Sequence, residues 1–231
     1  MNPQIEIAGR KIGIDFNPLV IAEIGINHNG HMELAKRMID ASKDAGADAV
    51  KLQTYTADTM TIDHDGPEFE LTEGQWAGRS LYELYDWAHT PWEWHESLFK
   101  MGRELGITIF STPFDQSAVN FLAQFDPPAY KIASFENTHV PLIKKVASTG
   151  KPMIVSTGMA TLNEVENALN ILEESGISKG EIMMLHCNTE YPTPMKDVNL
   201  SAMHTIRDQF GVRVGYSDHT RGYEISVAAV A

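Results

Sequence analysis

The chain is punctuated by short, almost unbroken apolar runs: Leu19–Ile24, Ala49–Gln53, Ile107–Ser111, Ala129–Ala133, Met153–Ser156, Ile182–Cys187 and Val212–Ser217. Between them, apolar residues recur at three- and four-residue spacing, as in Leu34, Met38 and Ile39 followed by Ala41-Ser42-Lys43-Asp44-Ala45, in Val119 with Phe121-Leu122, and in Val165, Ala168, Leu169 and Leu172. A strand with one wet face alternates; one buried on both faces reads as a continuous apolar run. The pattern predicts parallel strands separated by helices. Gly closes several helical stretches (Ala45-Gly46, Leu105-Gly106, Thr149-Gly150, Ser175-Gly176), as expected where a helix ends in a left-handed residue. Seven βα units are counted from residue 18 onward, which predicts an α/β fold of the TIM-type (β/α) barrel kind.

Residues 4–14 alternate apolar and polar around Gly9-Arg10 and predict a small β-hairpin, so that 1–17 stand apart from a barrel domain over 18–231. The stretch Tyr223–Ala231 reads as an apolar helix without a capping device. With seven strands rather than eight, the barrel is expected to be C-terminally incomplete, with open strand edges that invite self-association and little activity on its own.

One connection breaks the rhythm. Thr54 to Thr90 contains Gly66-Pro67 and Gly74, and it belongs to an aromatic group of Trp76, Tyr82, Tyr85, Trp87, Trp92 and Trp94. A connection this long is usually functional or disordered. Two readings stay open: an insertion packing aromatics on the barrel rim, or a loop that covers a substrate.

Charge narrows the partners. With 18 basic against 31 acidic residues the net charge is −13, which argues against nucleic acid or an anionic membrane surface, since both need clustered Lys and Arg. A few lysines in one pocket can still bind a small anion. No apolar run is long enough to span a bilayer, and Cys187 is the single cysteine. The expected compartment is the cytoplasm.

Candidate chemistry lies where the strands end, because a parallel barrel gathers its active site at the C-terminal strand ends. These ends carry Glu23, Lys51, Ser111-Thr112, Lys131 with Ser134 and Glu136, Ser156, His186-Cys187 before Tyr191, and Ser217-Asp218-His219. Buried without partners, such groups would cost several kcal/mol each, roughly. A ligand or a dense mutual network is therefore required. Lysine is uncommon inside a buried strand, so Lys51 and Lys131 point to phosphate or carboxylate and are expected to converge on one anion site. Ser111, Ser134 and Ser156 fit either helix caps or phosphate ligands. His219 fits a hydrogen-bonded core histidine or a metal ligand, and Cys187 a small apolar residue.

Ala22-Glu23-Ile24-Gly25-Ile26-Asn27-His28, Ser111-Thr112-Pro113-Phe114-Asp115, Tyr130-Lys131-Ile132-Ala133-Ser134, Ser156-Thr157-Gly158-Met159, Tyr191-Pro192-Thr193-Pro194 and Gly215-Tyr216-Ser217-Asp218-His219-Thr220 resemble, in order, the N-acetylneuraminate (sialic acid) synthase family. The resemblance runs from about Leu19 to the last residue. Leu81-Tyr82-Glu83-Leu84-Tyr85, Thr90-Pro91-Trp92-Glu93-Trp94-His95 and Ala133-Ser134-Phe135-Glu136 look most like pseudaminic acid synthases; N-acetylneuraminate and legionaminate synthases more often have Gly where Phe135 stands.

The resemblance implies condensation of phosphoenolpyruvate with an N-acetylated amino-sugar aldehyde to a nonulosonic acid and phosphate, assisted by manganese or magnesium. It implies that Lys51, Thr112, Lys131, Ser134, Ser156 and Ser217 hold phosphoenolpyruvate and that Glu23 and Glu136 are catalytic. Tyr191 and Asp218 would line the sugar, and His219 would bind the metal. The family often has Asn before the Tyr-Pro pair; here Asn188, Thr189 and Glu190 precede Tyr191. Family members also carry an eighth strand with a second metal-binding His and an antifreeze-like domain, and the resemblance implies a homodimer in the full-length protein. The alternatives are an N-acetylneuraminate or legionaminate synthase, a deoxy-sugar-acid phosphate synthase and a non-catalytic anion- or sugar-binding barrel.

Overall fold

The computed structural model describes residues 5–74 and 76–231. The chain forms two compact units, one over Val20–Pro127 and one made of Pro128–Ala231 with the described residues up to Leu19. Both are α/β. Among the described residues seven parallel strands alternate with helices, three strands in the first unit and four in the second.

The hairpin consists of β1 (Ile5–Ile7) and β2 (Arg10–Ile12), antiparallel, with Ile5 opposite Ile12. Its turn is Ala8-Gly9, both at positive φ (52° and 77°), one residue earlier than the expected Gly9-Arg10. Two consecutive left-handed residues twist the loop in the sense that the strands require. Arg10 instead pairs with Ile7 in the ladder and donates to the Pro18 carbonyl at 2.8 Å. Gln4, counted in the expected hairpin, lies outside the described residues. Ile5, Ile7 and Ile12 are buried, and β1 lies against the 3-10 turn Lys179–Glu181.

In the Val20–Pro127 unit, β3 (Ile21–Glu23), β4 (Ala49–Thr54) and β5 (Thr108–Pro113) are parallel neighbours in that order. β3 is shorter than the apolar run that predicts it. The Val20 N–H goes to the Asp48 carboxylate at 2.8 Å instead of to a ladder partner. The helices are α1 (Met32–Asp44), α2 (Ala57–Met60), α3 (Leu81–Ala88), α4 (His95–Leu105) and α5 (Gln116–Leu122). Val50, Leu52, Ile39, Leu98, Phe110 and Leu122 form the core.

The long connection after β4 has structure of its own. α3 opens with a capping box in which Ser80 Oγ accepts from the Glu83 N–H at 3.1 Å and the Glu83 carboxylate accepts from the Ser80 N–H at 3.0 Å. Tyr55 lies edge-on to Tyr85 and Phe114, and Trp92 stacks on Phe121 at 4.4 Å. Trp92–Trp94 form a 3-10 turn that runs into α4. These aromatics pack inward on the βα framework.

The second unit continues with β6 (Tyr130–Ile132), α6 (Val140–Ala147), β7 (Met153–Ser156), α7 (Leu162–Glu174), β8 (Ile182–Cys187), α8 (Ser201–Phe210), β9 (Arg213–Ser217) and α9 (Glu224–Val230). The strands are parallel, ordered as in sequence. β8 is buried at every residue, as a strand covered on both faces must be. Gly106 and Gly211 end α4 and α8 at φ 65° and 66°, a conformation that costs glycine no Cβ clash. Among the described residues no helix is long and apolar enough to cross a membrane.

Candidate active site

Each unit carries a polar cluster at its C-terminal strand ends. In the Val20–Pro127 unit, register places Glu23 beside Lys51, and Gln53 beside Thr112. The Lys51 ammonium pairs with the Glu23 carboxylate and donates to Thr112 Oγ1 at 3.3 Å. The Lys51 side chain is 14% exposed and that of Glu23 41%, so the pair runs from interior to mouth. Gly25, at φ +48°, sits where a Cβ would come within 3.3 Å of Glu23 Oε1 and 3.4 Å of Gln53 Nε2.

In the second unit Lys131 is 5% exposed. Its ammonium donates to Ser156 Oγ at 2.6 Å and to the Ile132 carbonyl at 3.0 Å. Ser134 Oγ accepts from the Gly158 N–H at 3.1 Å. Ser134–Glu136 form a 3-10 turn directly after β6, which leaves Phe135 63% exposed and turns Glu136 inward. Burial pushes the Glu136 carboxyl up to about 6, against the lowering effects of its own backbone N–H and of Lys131. Its Oε2 is buried with no hydrogen-bond partner among the described residues. A carboxyl of this kind is poised to exchange a proton near neutral pH.

The reading of the serines as helix caps is overturned. α5 is capped by Asp115, which accepts from the N–H groups of Ser117 and Ala118 at 2.8 and 3.1 Å, and α7 is capped by Thr161. Ser156 is engaged by Lys131, Ser134 by Gly158 and Ser111 by Thr54. The helices start several residues beyond the strand ends, where Asp115 and Thr161 are better placed.

On β9, Ser217 lies opposite Cys187 in register. Asp218 accepts from the Thr220 N–H at 2.8 Å and from the Ser226 hydroxyl at 2.5 Å. Burial raises its carboxyl, but these bonds outweigh burial and hold it below the ordinary carboxylate range. His219 Nδ1 donates to the Asn188 carbonyl at 2.6 Å, lies 3.9 Å from Cys187 Sγ, and its ring is 4.3 Å from that of Tyr191. Asn188 is oriented by Nδ2 donating to the Asp197 carbonyl at 2.7 Å. Burial pushes the Cys187 thiol up, yet His219, Ser134 and the Lys131 charge together bring it below its ordinary value. Cys187 is thus a small buried residue, as expected, and also a neighbour of His219.

The metal expectation for His219 does not find a donor set. Among the described residues no three His, Cys, Asp or Glu side chains gather where an ion could sit. A divalent ion of the manganese or magnesium kind takes several oxygen or imidazole ligands, and His219 with a buried thiol does not fit it.

The open cleft of about 550 Å³ between β3 and α1 is lined by Val20, Ala22, Met38, Ala41 and their neighbours, none of them ionisable. It carries no candidate chemistry. Sequence reasoning named Gly158 only as part of the Ser156-Thr157-Gly158-Met159 motif and missed its packing role: a Cβ there would come within 2.6 Å of Thr189 Cγ2, 2.7 Å of Ser134 Oγ and 3.0 Å of the Cys187 carbonyl. It also missed His95, which bonds Thr54 behind the first cluster; the only signal was its place in the Trp92-Glu93-Trp94-His95 motif.

Residues 38–231 match the NeuB family. The chain is 43% identical over 217 residues to the pseudaminic acid synthase of Campylobacter jejuni, a match covering 94% of this chain and 63% of that protein. It is 42% identical over 216 residues to the N,N'-diacetyllegionaminic acid synthase of the same species, covering 92% and 64%. The crystal structure of N-acetylneuraminic acid synthetase from Leptospira borgpetersenii superposes with a TM-score of 0.87 at 31% identity, over 99% of this chain and 74% of that one. The chain spans a little under two thirds of the length of the two synthases that it matches. A match to one family over most of the sequence, on a fold shared along the whole chain, leaves one assignment: the chain belongs to the NeuB family.

Proposed function

We propose that this chain carries the phosphoenolpyruvate-binding part of a pseudaminic-acid-type synthase, a (β/α) barrel enzyme that joins phosphoenolpyruvate to an N-acetylated amino-sugar aldehyde. The observation that carries the reading is Lys131: an ammonium buried at 5% exposure among strand-end hydroxyls, with the Glu136 carboxyl raised beside it. Such an arrangement binds phosphate or carboxylate by charge-assisted hydrogen bonds.

In this reading Lys51, Thr112, Lys131, Ser134, Ser156 and Ser217 are phosphoenolpyruvate ligands, and Tyr191 and Asp218 face the sugar. The enol carbon of phosphoenolpyruvate attacks the aldehyde carbon, the aldehyde oxygen takes the electron pair of its broken π bond and a proton from solvent, and the pyruvyl carbon becomes cationic. The Glu136 carboxylate stabilises that cation. Water adds to the same carbon, Glu136 or Glu23 takes its proton, and phosphate leaves with cleavage of the carbon–oxygen bond. A carboxyl at about 6 is mostly ionised at pH 7 yet still accepts a proton readily.

Legionaminate synthesis is the second reading, favoured by an identity of 42% against 43%. Incubation with phosphoenolpyruvate and a panel of mono- and diacetamido sugars, followed by mass spectrometry and phosphate release, decides between them. The expected result is a product heavier than its sugar by pyruvate, formed fastest from the pseudaminic-type diacetamido sugar. Turnover only with phosphorylated aldoses, or binding of phosphoenolpyruvate without turnover, overturns the proposal.

A further inference from the structure

Side chains on β4 and β5 alternate between two faces. On one face Lys51 meets Thr112. On the other, Thr54 and Ser111 meet α4. There Thr54 Oγ1 lies 2.8 Å from His95 Nε2 and 2.7 Å from Ser111 Oγ, and His95 Nδ1 lies 3.3 Å from the Pro91 carbonyl. His95 is 0% exposed and lies against Phe121 and Phe125.

These contacts fix every proton in the chain. The Pro91 carbonyl can only accept, so His95 Nδ1 carries the hydrogen. A neutral imidazole then presents Nε2 as an acceptor, so the Thr54 hydroxyl donates to it. The single Thr54 proton is used there, so the Ser111 hydroxyl donates to Thr54. The relay runs one way, from Ser111 through Thr54 and His95 to Pro91. Burial, partly offset by the Pro91 and Trp92 backbone and by Glu93, pushes His95 down to about 4, so the ring stays neutral at ordinary pH.

The same stretch ties in the return of the long connection. Thr90 Oγ1 lies 3.3 Å from His28 Nε2, and Trp92 Nε1 donates to the Tyr55 carbonyl at 3.2 Å. Apolar side chains would fill this space without tying the two strand ends together. The backbone ladder sets the stagger itself; of the side-chain bonds, Thr54–Ser111 ties the two strand ends together and Thr54–His95 ties them to α4, behind a Lys51–Thr112 contact of 3.3 Å, near the limit for a hydrogen bond.

We propose that His95, as the Nδ1–H tautomer, is a positioning residue that, through Thr54 and Ser111, steadies the ends of β4 and β5 from which Lys51 and Thr112 bind phosphoenolpyruvate. This rests on the proposed function. The test measures phosphoenolpyruvate Kd by calorimetry and the His95 tautomer by long-range ¹H–¹⁵N NMR in the wild-type chain and in Thr54→Val, Ser111→Ala and Thr54→Ser. Thr54→Val keeps the shape and cuts the relay on both sides; Ser111→Ala removes only the first donor and covers the case in which the valine variant does not fold.

The expected result is an Nδ1–H tautomer in the wild type, a Kd raised about tenfold in the two disrupting variants, the scale of one lost hydrogen bond, and near-wild-type affinity in Thr54→Ser. An unchanged Kd in a folded disrupting variant reduces His95 to packing and overturns the proposal, as does an Nε2–H tautomer. Absence of phosphoenolpyruvate binding by the wild type defeats the proposed function itself, a distinct result from binding that the variants leave intact.

Discussion

The Lys131 ammonium lies 2.6 Å from the Ser156 hydroxyl, and both residues are buried on adjacent strands. Register pairs Lys131 with Ile154, so the lysine leans forward along β7 to reach a residue two places on, toward the strand ends. An ammonium taken out of water loses several kcal/mol of hydration, roughly. A core that needed only stability would place an apolar side chain here.

Lys131→Met therefore separates folding from binding. Methionine nearly keeps the volume and removes the charge. The melting temperature is expected to stay level or rise, while phosphoenolpyruvate affinity falls about 10- to 150-fold, the equivalent of a hydrogen bond to a charged group worth about 1.5–3 kcal/mol. Thermal melts and calorimetric titration of the same preparation check both halves. A variant that melts far lower and binds normally would make Lys131 a structural residue.

Thr161 and Ser156 make a matched pair. Thr161 Oγ1 accepts from the Glu164 N–H at 3.3 Å, and the Glu164 carboxylate accepts from the Thr161 N–H at 2.7 Å. Thr161→Ala should lower stability by about 1 kcal/mol and leave phosphoenolpyruvate binding untouched. Ser156→Ala should do the reverse, because its hydroxyl serves Lys131. Urea denaturation together with a binding titration distinguishes a capping hydroxyl from a ligand hydroxyl.

The strands were legible because polar residues bound them: β7 and β8 coincide with Met153–Ser156 and Ile182–Cys187. Lys51, Lys131, Ser156 and Glu136 stood out as polar groups at the ends of apolar strands. The serine roles were not decidable from the sequence, since Asp115 and Thr161 lie just downstream and win the caps by position. The Thr54–His95 bond joins residues 41 positions apart, and no local pattern announces that α4 will cross behind β4. The role of Gly158 was hidden for a related reason: what demands a glycine there is the approach of Ser134, Cys187 and Thr189, a fact of packing.

Glu136 sets a pH signature. Its folded value near 6 stands above the ordinary 4.5, so between those values the folded state binds more protons than the unfolded one. Stability tied to this group is present below about pH 4.5 and is lost as pH rises through 6. The difference between the two values corresponds to at most about 2 kcal/mol. Glu136→Gln lacks the titration, so its unfolding free energy relative to the wild type should increase between pH 4.5 and 6.5. Parallel urea titrations across that range give the difference; a constant offset would mean that the carboxyl is not held in a desolvated site. The wild-type rate of condensation should rise with pH through about 6, and that limb should be missing from the glutamine variant.

Gly158 offers the sharpest test of how tightly the second cluster is built. Its φ is not in the left-handed region, so alanine meets no backbone penalty there; the demand is for space. A Cβ would come within 2.6 Å of the Thr189 methyl, 2.7 Å of Ser134 Oγ and 3.0 Å of the Cys187 carbonyl. The threonine methyl can rotate away and the serine can change rotamer, but the carbonyl belongs to the end of a fully buried strand and cannot give without moving β8. Gly158→Ala is expected to cost about 1–3 kcal/mol, as overpacking does, and to weaken phosphoenolpyruvate binding, because a displaced Ser134 loses its 3.1 Å bond from the Gly158 N–H. Gly180→Ala is the control. Its Cβ would meet nothing nearer than Ser178 Oγ at 3.4 Å, so stability should change by no more than about 0.5 kcal/mol. Chemical denaturation and a phosphoenolpyruvate titration of both variants decide the matter. If Gly158→Ala proves as stable as Gly180→Ala and binds equally well, the strand ends around Ser134 and Cys187 are looser than their distances indicate, and the anion site cannot depend on their close approach.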